Sequence, residues 1–221
     1  MLDESYLDRI FNEFSETLEE VGAPLPAVSI IAAEDNDPYR ILTATLLSLR
    51  TRDSATLASS LSLFSKAKNV YELDNLSLEE VENAIRQSGF YKRKAEQLKK
   101  IARIVIEEYN GKIPNDMDKL LALPGVGIKT ASLVLNLGFE QDAICVDCHV
   151  HQICNRIGWT KTKTPEETEK ELRKILPQRF WISLNELLVR YGQYICLPIS
   201  PLCSKCPEKE NCPKSGVEKS R

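Results

Sequence analysis

Residues 123–131 read Leu-Pro-Gly-Val-Gly-Ile-Lys-Thr-Ala, between a short helical segment, Asp116–Leu121, and a longer predicted helix, Ile128–Leu137. Gly125 and Gly127 permit a tight turn and a close approach of the backbone to another molecule. The amide groups that begin the second helix can then hold a phosphate. A plain connection between two helices could have the same sequence, so both interpretations stay open at this point.

Outward from this turn, apolar residues recur at intervals of three and four positions, which is typical of helices. Glu4–Val21 carries a single apolar stripe, and Gln178–Cys196 is the last long helix predicted. Ser77-Leu-Glu-Glu80 has the pattern of a capping box, and Thr164 combines the same pattern with proline at the first helical position. No segment alternates as a strand would. The sequence therefore predicts an all-α protein.

The composition is that of an ordinary globular chain, with 221 residues, 43% of them hydrophobic. Mostly apolar stretches such as Ala27–Ala33 are far shorter than the roughly 18 residues that a membrane span needs. The acidic N-terminus lacks the basic and then apolar order of a secretory signal. We therefore expect an intracellular protein without a membrane partner.

Charge is unevenly distributed along the chain. The net charge is −3, but residues 1–38 hold ten acids and one base, which leaves 28 basic and 22 acidic residues for 39–221. A locally basic surface could therefore face a phosphate backbone despite the acidic total. A solvated acidic helix beside an otherwise mixed surface explains the same charges.

Seven cysteines are more than packing requires, and four of them fall within 17 residues at Cys196, Cys203, Cys206 and Cys212. An odd total in a reducing compartment argues against a disulfide framework. Four thiolates around a Cys-x2-Cys centre suit either zinc or an iron–sulfur cluster, and the residue types alone do not separate the two. Four thiols without a metal are the third possibility.

Three features together resemble the endonuclease III family of the helix-hairpin-helix superfamily. They are the hairpin with Lys129, the segment Val146-Asp-Cys-His-Val150 with Asp147 18 residues after that lysine, and the cysteine spacing of 6, 2 and 5 residues. The similarity extends from about Pro38 to Pro213. By this resemblance the four cysteines hold a [4Fe–4S] cluster in a C-terminal loop.

The resemblance also implies an architecture of two helical domains with a cleft between them. The central helical domain, residues 31–141, would carry the helix-hairpin-helix motif. Residues 1–30 together with 142–221 would form the second domain with the cluster loop.

The activity implied is a base-excision-repair DNA glycosylase that removes oxidised pyrimidines from duplex DNA and cleaves the abasic site by β-elimination. Lys129 resembles the nucleophile that forms a Schiff base with the sugar, and Asp147 resembles the catalytic carboxylate. A lysine with the usual pKa of about 10.4 is protonated at neutral pH, but a helix N-terminus disfavours the ammonium. Asp147 read alone is simply a helix N-cap.

We expect a monomer associated with the cytoplasm and nucleoid, with damaged or abasic double-stranded DNA as its partner.

The resemblance also implies that further residues bind DNA. They are Arg50, Phe90, Leu123, Gly125, Val126 and Gly127. Phe90 resembles an apolar wedge that fills the space vacated in the helix, and a core aromatic is the alternative. Arg50 falls where the bacterial enzymes place a glutamine at the orphaned base, so it departs from the family pattern. An arginine could insert at the same place or contact phosphate instead, and both interpretations stay open.

Two rival functions remain. A mismatch-specific glycosylase would share the cysteine spacing, but such relatives typically lack the lysine and carry a further C-terminal domain. A non-catalytic DNA-binding iron–sulfur protein would keep the hairpin and cysteines, but it would not need both Lys129 and Asp147.

Overall fold

The computed structural model describes all residues 1–221, and its regular structure is entirely helical. Twelve α-helices follow one another: α1 (Glu4–Glu20), α2 (Ala27–Glu34), α3 (Pro38–Ser48), α4 (Asp53–Phe64), α5 (Val70–Asn75), α6 (Leu78–Ala84), α7 (Tyr91–Tyr109), α8 (Met117–Ala122), α9 (Ile128–Phe139), α10 (Cys148–Arg156), α11 (Pro165–Ile175) and α12 (Trp181–Tyr194). Single 3-10 turns occur at Gln178–Phe180 and Cys203–Lys205. The predicted all-α class is confirmed. None of these helices has the length and apolar character needed to cross a bilayer.

The chain divides into two compact units, Met1–Leu25 with Asp142–Arg221, and Pro26–Gln141. The first junction therefore lies five residues before the expected one at 30/31. The reason is α2, a short helix that packs against α3, α4 and α9 of the 26–141 unit. Ala27, Val28 and Ile31 are buried there.

Helix α3 is the centre of the 26–141 unit. Asp37 caps it by accepting a hydrogen bond from the Tyr39 backbone N–H at 2.9 Å, and Pro38 occupies its first position. Every residue from Ile41 to Leu47 is buried. Helices α2, α4, α7 and α9 contact α3, so its apolar surface is covered on all sides.

The other unit is built on α1, α10 and α12. Leu7, Ile10, Phe14 and Leu18 form the predicted stripe of α1, and each is buried. The ring of Phe14 stacks on that of Tyr191 from α12, with centroids 3.8 Å apart. Helix α10 packs on α12, which fixes the helix that Asp147 begins.

Local sequence signals set most helix boundaries. The capping box at Ser77 is formed, and Thr164 caps α11 through the Glu167 N–H at 3.2 Å. Helix α7 begins after Phe90 and ends before Asn110, and both flanking residues are left-handed, with φ of 58° and 52°. Gly111, which follows the C-cap residue Asn110, is also left-handed.

Candidate active site and DNA interface

The hairpin between α8 and α9 is formed by residues 123–127. Gly125 is left-handed, with φ of 72°, and the Gln97 Nε2 amide donates to the Pro124 carbonyl at 2.7 Å. A Cβ on Gly125 would lie 2.2 Å from Gln97 Nε2, so the turn is pressed against α7. Gly127 is the N-cap of α9 and supplies no side chain to cap it. The first amides of α9 are therefore presented at a bare turn, as a phosphate site requires.

Two residues of the hairpin are oriented inward. Leu123 is 2% exposed and Val126 is 7% exposed, so both side chains belong to the core. Contact of these positions with DNA can be made by their backbone alone. The hairpin thus combines an apolar anchor with an accessible main chain.

The two hairpin glycines give a matched test of this arrangement. Gly125→Ala places a side chain at positive φ and displaces Gln97, so we expect the free energy of unfolding to fall by about 1–2 kcal/mol. Gly127→Ala meets no atom within 4 Å, so only the poorer N-cap residue should lower stability, by about 0.5 kcal/mol. If the turn approaches a phosphate, Gly127→Ala should still weaken duplex binding, as measured by fluorescence anisotropy. Unchanged affinity in Gly127→Ala would favour a plain helix connection.

Lys129 lies in the first turn of α9, two residues after the N-cap, and it is exposed. Thr130 and Ala131 next to it are buried, which fixes the helix that carries the amine. The positive end of the α9 dipole disfavours an ammonium there. The residue is therefore an exposed amine at the positive end of a helix dipole.

Asp147 is the N-cap of α10 and is 7% exposed. Its Oδ1 accepts hydrogen bonds from the backbone N–H groups of His149 and Val150, both at 2.9 Å. The N-cap interpretation of this residue is confirmed. Lys129 belongs to the 26–141 unit and Asp147 to the other.

Arg50 and Phe90 form an exposed pair within the 26–141 unit. Both are left-handed, with φ of 53° and 58°, and the Arg50 guanidinium carbon lies 5.9 Å from the Phe90 ring centroid. Phe90 is 63% exposed, which rules out the core-aromatic alternative. A large exposed aromatic under a cation is suited to contact with nucleic acid.

Beneath this pair lies a buried lysine that the sequence did not single out. Lys94 is 6% exposed, and its ammonium lies within hydrogen-bonding distance of four oxygens. These are Leu47 O and Leu49 O at 2.7 Å, and Thr51 Oγ1 and Ser88 Oγ at 2.9 Å. Burial lowers the pKa of Lys94 to about 8.

This lowered pKa predicts a pH dependence of stability. Between a folded pKa of about 8 and the ordinary value of 10.5, the unfolded chain binds more protons than the folded one. The free energy of unfolding, relative to Lys94→Met, should therefore be constant below about pH 7 and rise between about pH 8 and 10.5. Urea denaturation of both proteins at about pH 7 and pH 10 measures the difference. A difference that is flat or falls over this range would contradict the assignment.

The four cysteines of the predicted centre line one cavity. Cys196 follows α12, Cys203 begins a 3-10 turn, and these two line one small cavity together with Cys206 and Cys212. Burial raises the pKa of the Cys196, Cys206 and Cys212 thiols, so the thiolates need a positive charge to form. No three His, Cys, Asp or Glu side chains in the chain converge as a single metal ion would require.

Two charged side chains hold the cysteine segment in place. The Arg156 guanidinium, 8% exposed, donates to Leu197 O at 2.7 Å and Pro198 O at 2.8 Å, and approaches Cys196 Sγ at 3.5 Å. Glu208 is 1% exposed and pairs with Arg9 of α1 at 2.8 Å. A buried cation beside a ligand sulfur partly offsets the negative charge that a thiolate centre brings.

Comparison with known proteins agrees with these features. The family model described as "HhH-GPD superfamily base excision DNA repair protein" matches residues 43–178. Endonuclease III of Thermotoga maritima is 46% identical over 179 residues, covering 81% of this chain and 84% of that protein. Endonuclease III homolog 1, chloroplastic, of Arabidopsis thaliana is 41% identical, and the match covers 82% of this chain and 50% of the longer plant protein.

A solved structure points the same way. The trapped endonuclease III–DNA covalent intermediate in its estranged-adenine complex superposes with a TM-score of 0.81 at 31% identity, covering 97% of each chain. The hairpin, the helical fold and these matches define a base-excision DNA repair protein of the helix-hairpin-helix class. Within that class, the chain belongs to the endonuclease III family, whose members are DNA N-glycosylases with AP lyase activity. The predicted family, glycosylase class and DNA partner are therefore confirmed.

Proposed function

We propose that this chain removes oxidised pyrimidines from duplex DNA and cleaves the resulting abasic site through a Schiff base on Lys129. The observation that carries the proposal is the accessible amine in the first turn of α9, directly after a bare glycine turn. A glycosylase must extrude its nucleotide to reach the glycosidic bond. The hairpin can bind the phosphate backbone while the lysine, two residues further on, faces the sugar.

The reaction follows from the chemistry of the amine. In neutral form, the Lys129 Nζ attacks C1′ of the deoxyribose as the bond from C1′ to the base breaks, and the departing base takes up a proton. The C1′–O4′ bond then breaks to give an imine between Nζ and C1′, and the two protons that the amine loses pass to the departing base and to O4′. Removal of a C2′ proton then expels the 3′ phosphate, and water releases the enzyme.

Asp147 is proposed as the carboxylate that stabilises the cationic sugar and assists proton transfer. The two backbone N–H groups that bind its Oδ1 fix the carboxylate in one orientation. Asparagine caps helices as well as aspartate, so Asp147→Asn removes the charge and keeps the cap.

We expect Asp147→Asn to slow base removal by roughly 10²–10⁴-fold, the usual range for a positioned acid or base. Cleavage of a preformed abasic site should be slowed less, because that substrate has no glycosidic bond to break. Single-turnover rates on the two substrates test this expectation, and a thermal melt of the variant checks that it is folded. Equal losses on both substrates would contradict this division of roles.

The proposal is tested by trapping with borohydride. The protein is incubated with duplexes that each carry one lesion (thymine glycol, an oxidised cytosine, an abasic site) or a single mismatch, and the imine is reduced. We expect a covalent protein–DNA adduct with the oxidised pyrimidines and the abasic site. A mismatch-specific enzyme would release base from the mismatched duplex instead. Absence of any adduct would overturn the lyase mechanism.

DNA contacts are proposed for the remaining predicted positions. The main chain of Leu123, Gly125, Val126 and Gly127 would bind phosphate, and the exposed Arg50 and Phe90 would enter the duplex at the extruded nucleotide. A stacked aromatic can occupy the space that a flipped base leaves. One active site requires only one copy of the chain, so we propose a monomer. Its substrate places it inside the cell with the nucleoid.

A [4Fe–4S] cluster is proposed as the cofactor, held by Cys196, Cys203, Cys206 and Cys212. A single tetrahedral zinc ion, with Zn–S bonds of about 2.3 Å, would draw the four sulfurs to within about 4 Å of one another. A cluster separates its ligands more widely, which suits thiols that share a cavity without converging on one point. The reaction transfers no electrons to or from DNA, so the cluster's role here is to fold the segment that carries it.

A further inference from the structure

Lys94 joins two segments that are distant in sequence. The segment 47–51 comprises the last two residues of α3 and most of the link to α4, and the segment 88–90 precedes α7. The ammonium contacts three oxygens of the first segment and the Ser88 hydroxyl of the second, all at 2.7–2.9 Å. An ammonium has three protons to donate, and all of its partners are oxygen acceptors.

The two segments also touch each other directly. The Gly89 N–H donates to Thr51 Oγ1 at 3.0 Å, and Thr51 Oγ1 lies 3.2 Å from Ser88 Oγ. A Cβ at position 89 would lie 2.6 Å from the Arg50 carbonyl oxygen, so glycine is required for this approach. Beneath the exposed side chains of Arg50 and Phe90, an unbroken series of contacts thus runs from Lys94 to the backbone of residue 50.

Each segment displays one exposed residue in a strained conformation. Arg50 and Phe90 both have positive φ, which costs about 1–2 kcal/mol for a residue with a side chain. Such a conformation persists only where surrounding contacts impose it. The contacts that impose it here converge on the Lys94 ammonium.

We propose that Lys94 is a positioning residue that holds Arg50 and Phe90 together as one rigid element for entering the duplex. This inference rests on the proposed function, in which these two side chains occupy the site of the extruded nucleotide. Extrusion costs a few kcal/mol in a paired duplex and least where the base is already unpaired. Lys94 should therefore contribute most to the reaction rate on a fully paired duplex, where the nucleotide must be extruded. It should contribute little on a substrate whose nucleotide is already unpaired.

The structure offers a matched control on the same helix. Lys99 also directs its ammonium at backbone carbonyls, those of Leu73 at 3.2 Å and Leu76 at 2.6 Å. These carbonyls belong to the α5–α6 region, so Lys99 secures α7 without touching residues 47–51 or 88–90. Lys99→Met removes the same charge and a comparable set of carbonyl hydrogen bonds, and with them the contacts of Lys99 to the Asp74 carbonyl and carboxylate.

The experiment compares Lys94→Met, Lys99→Met and the wild type on two substrates. One is a fully paired duplex with a single thymine glycol, and the other carries the same lesion inside a bubble of three mismatched pairs. For Lys94→Met we expect the single-turnover rate on the paired duplex to fall at least tenfold further than the rate on the bubble. For Lys99→Met the ratio of the two rates should stay at the wild-type value.

The inference is overturned if Lys94→Met slows both substrates equally, because support of the fold alone would act on both. A Lys99→Met variant that shifts the ratio as strongly would overturn it as well. If Lys94→Met does not fold, the double variant Thr51→Val/Ser88→Ala removes two of the acceptors and should shift the ratio in the same direction. Failure of the proposed function is a separate outcome, since the wild type would then release base from neither substrate.

Discussion

Lys129→Ala is expected to abolish the borohydride adduct and to lower strand cleavage by roughly 10⁴-fold or more, as loss of a covalent nucleophile does. The reason is that no other group on the first turn of α9 offers an amine to C1′. Alanine is a good helix former, so α9 should remain intact. Affinity for an abasic-site duplex should change only a few-fold, because the glycine turn that precedes the lysine is untouched. Trapping, gel-based cleavage and anisotropy on one protein preparation measure these three quantities.

Lys119→Ala is the matched control, since Lys119 is an exposed lysine on α8 of the same hairpin motif. It removes one positive charge from the same motif without removing the nucleophile. Its adduct yield should match that of the wild type at saturating protein. A Lys129→Ala protein that still forms a covalent adduct would show that another amine performs the reaction.

Cys206→Ala is expected to have the second large effect, loss of bound iron together with unfolding of the segment from Cys196 onward. Three ligands remain, and burial raises the pKa of the Cys196 and Cys212 thiols, which disfavours the thiolates that bind a metal. The variant should lose the broad visible absorbance and contain little iron or sulfide. Proteolysis should then cut within residues 196–214.

Cys154→Ala separates this effect from the loss of any buried cysteine. Cys154 is fully buried in α10, outside the cavity of the four cysteines. Its substitution should cost about 1–2 kcal/mol of stability as a small cavity and leave the iron content unchanged. Stoichiometric zinc in the wild type, with no iron, would contradict the proposed cluster.

The helices that sequence predicted well are those whose signals are local. Capping residues such as Ser77, Thr164 and Asp147 act on amides two or three positions away, so their pattern is visible in the chain. Helix α2 was not predicted, because its eight residues lack a polar face and a side-chain cap. The last helix starts at Trp181 rather than Gln178, since the first turn is a 3-10 turn.

In the candidate site, too, the residues that the sequence singled out are those with a local signal. Lys129 and the hairpin glycines lie within one short motif, so the sequence alone could single them out as candidates. Lys94 and Gln97 act on carbonyls 27 to 47 positions away, and no local pattern records such a partner. One signal was available for Lys94, which lies on the apolar stripe of α7 with Leu98, Ile101 and Val105. A lysine at a core position of an amphipathic helix marks a buried charge with a specific set of acceptors.

Helix α3 has a consequence for motion in the 26–141 unit. Because its side chains from Ile41 to Leu47 are enclosed by four neighbouring helices, its amide protons can exchange with solvent only when the whole unit opens. Arg50 follows two residues after the end of this helix. The backbone that carries the exposed arginine is thus anchored to an enclosed helix, and we expect the amide protons of that helix to be among the last in the unit to exchange.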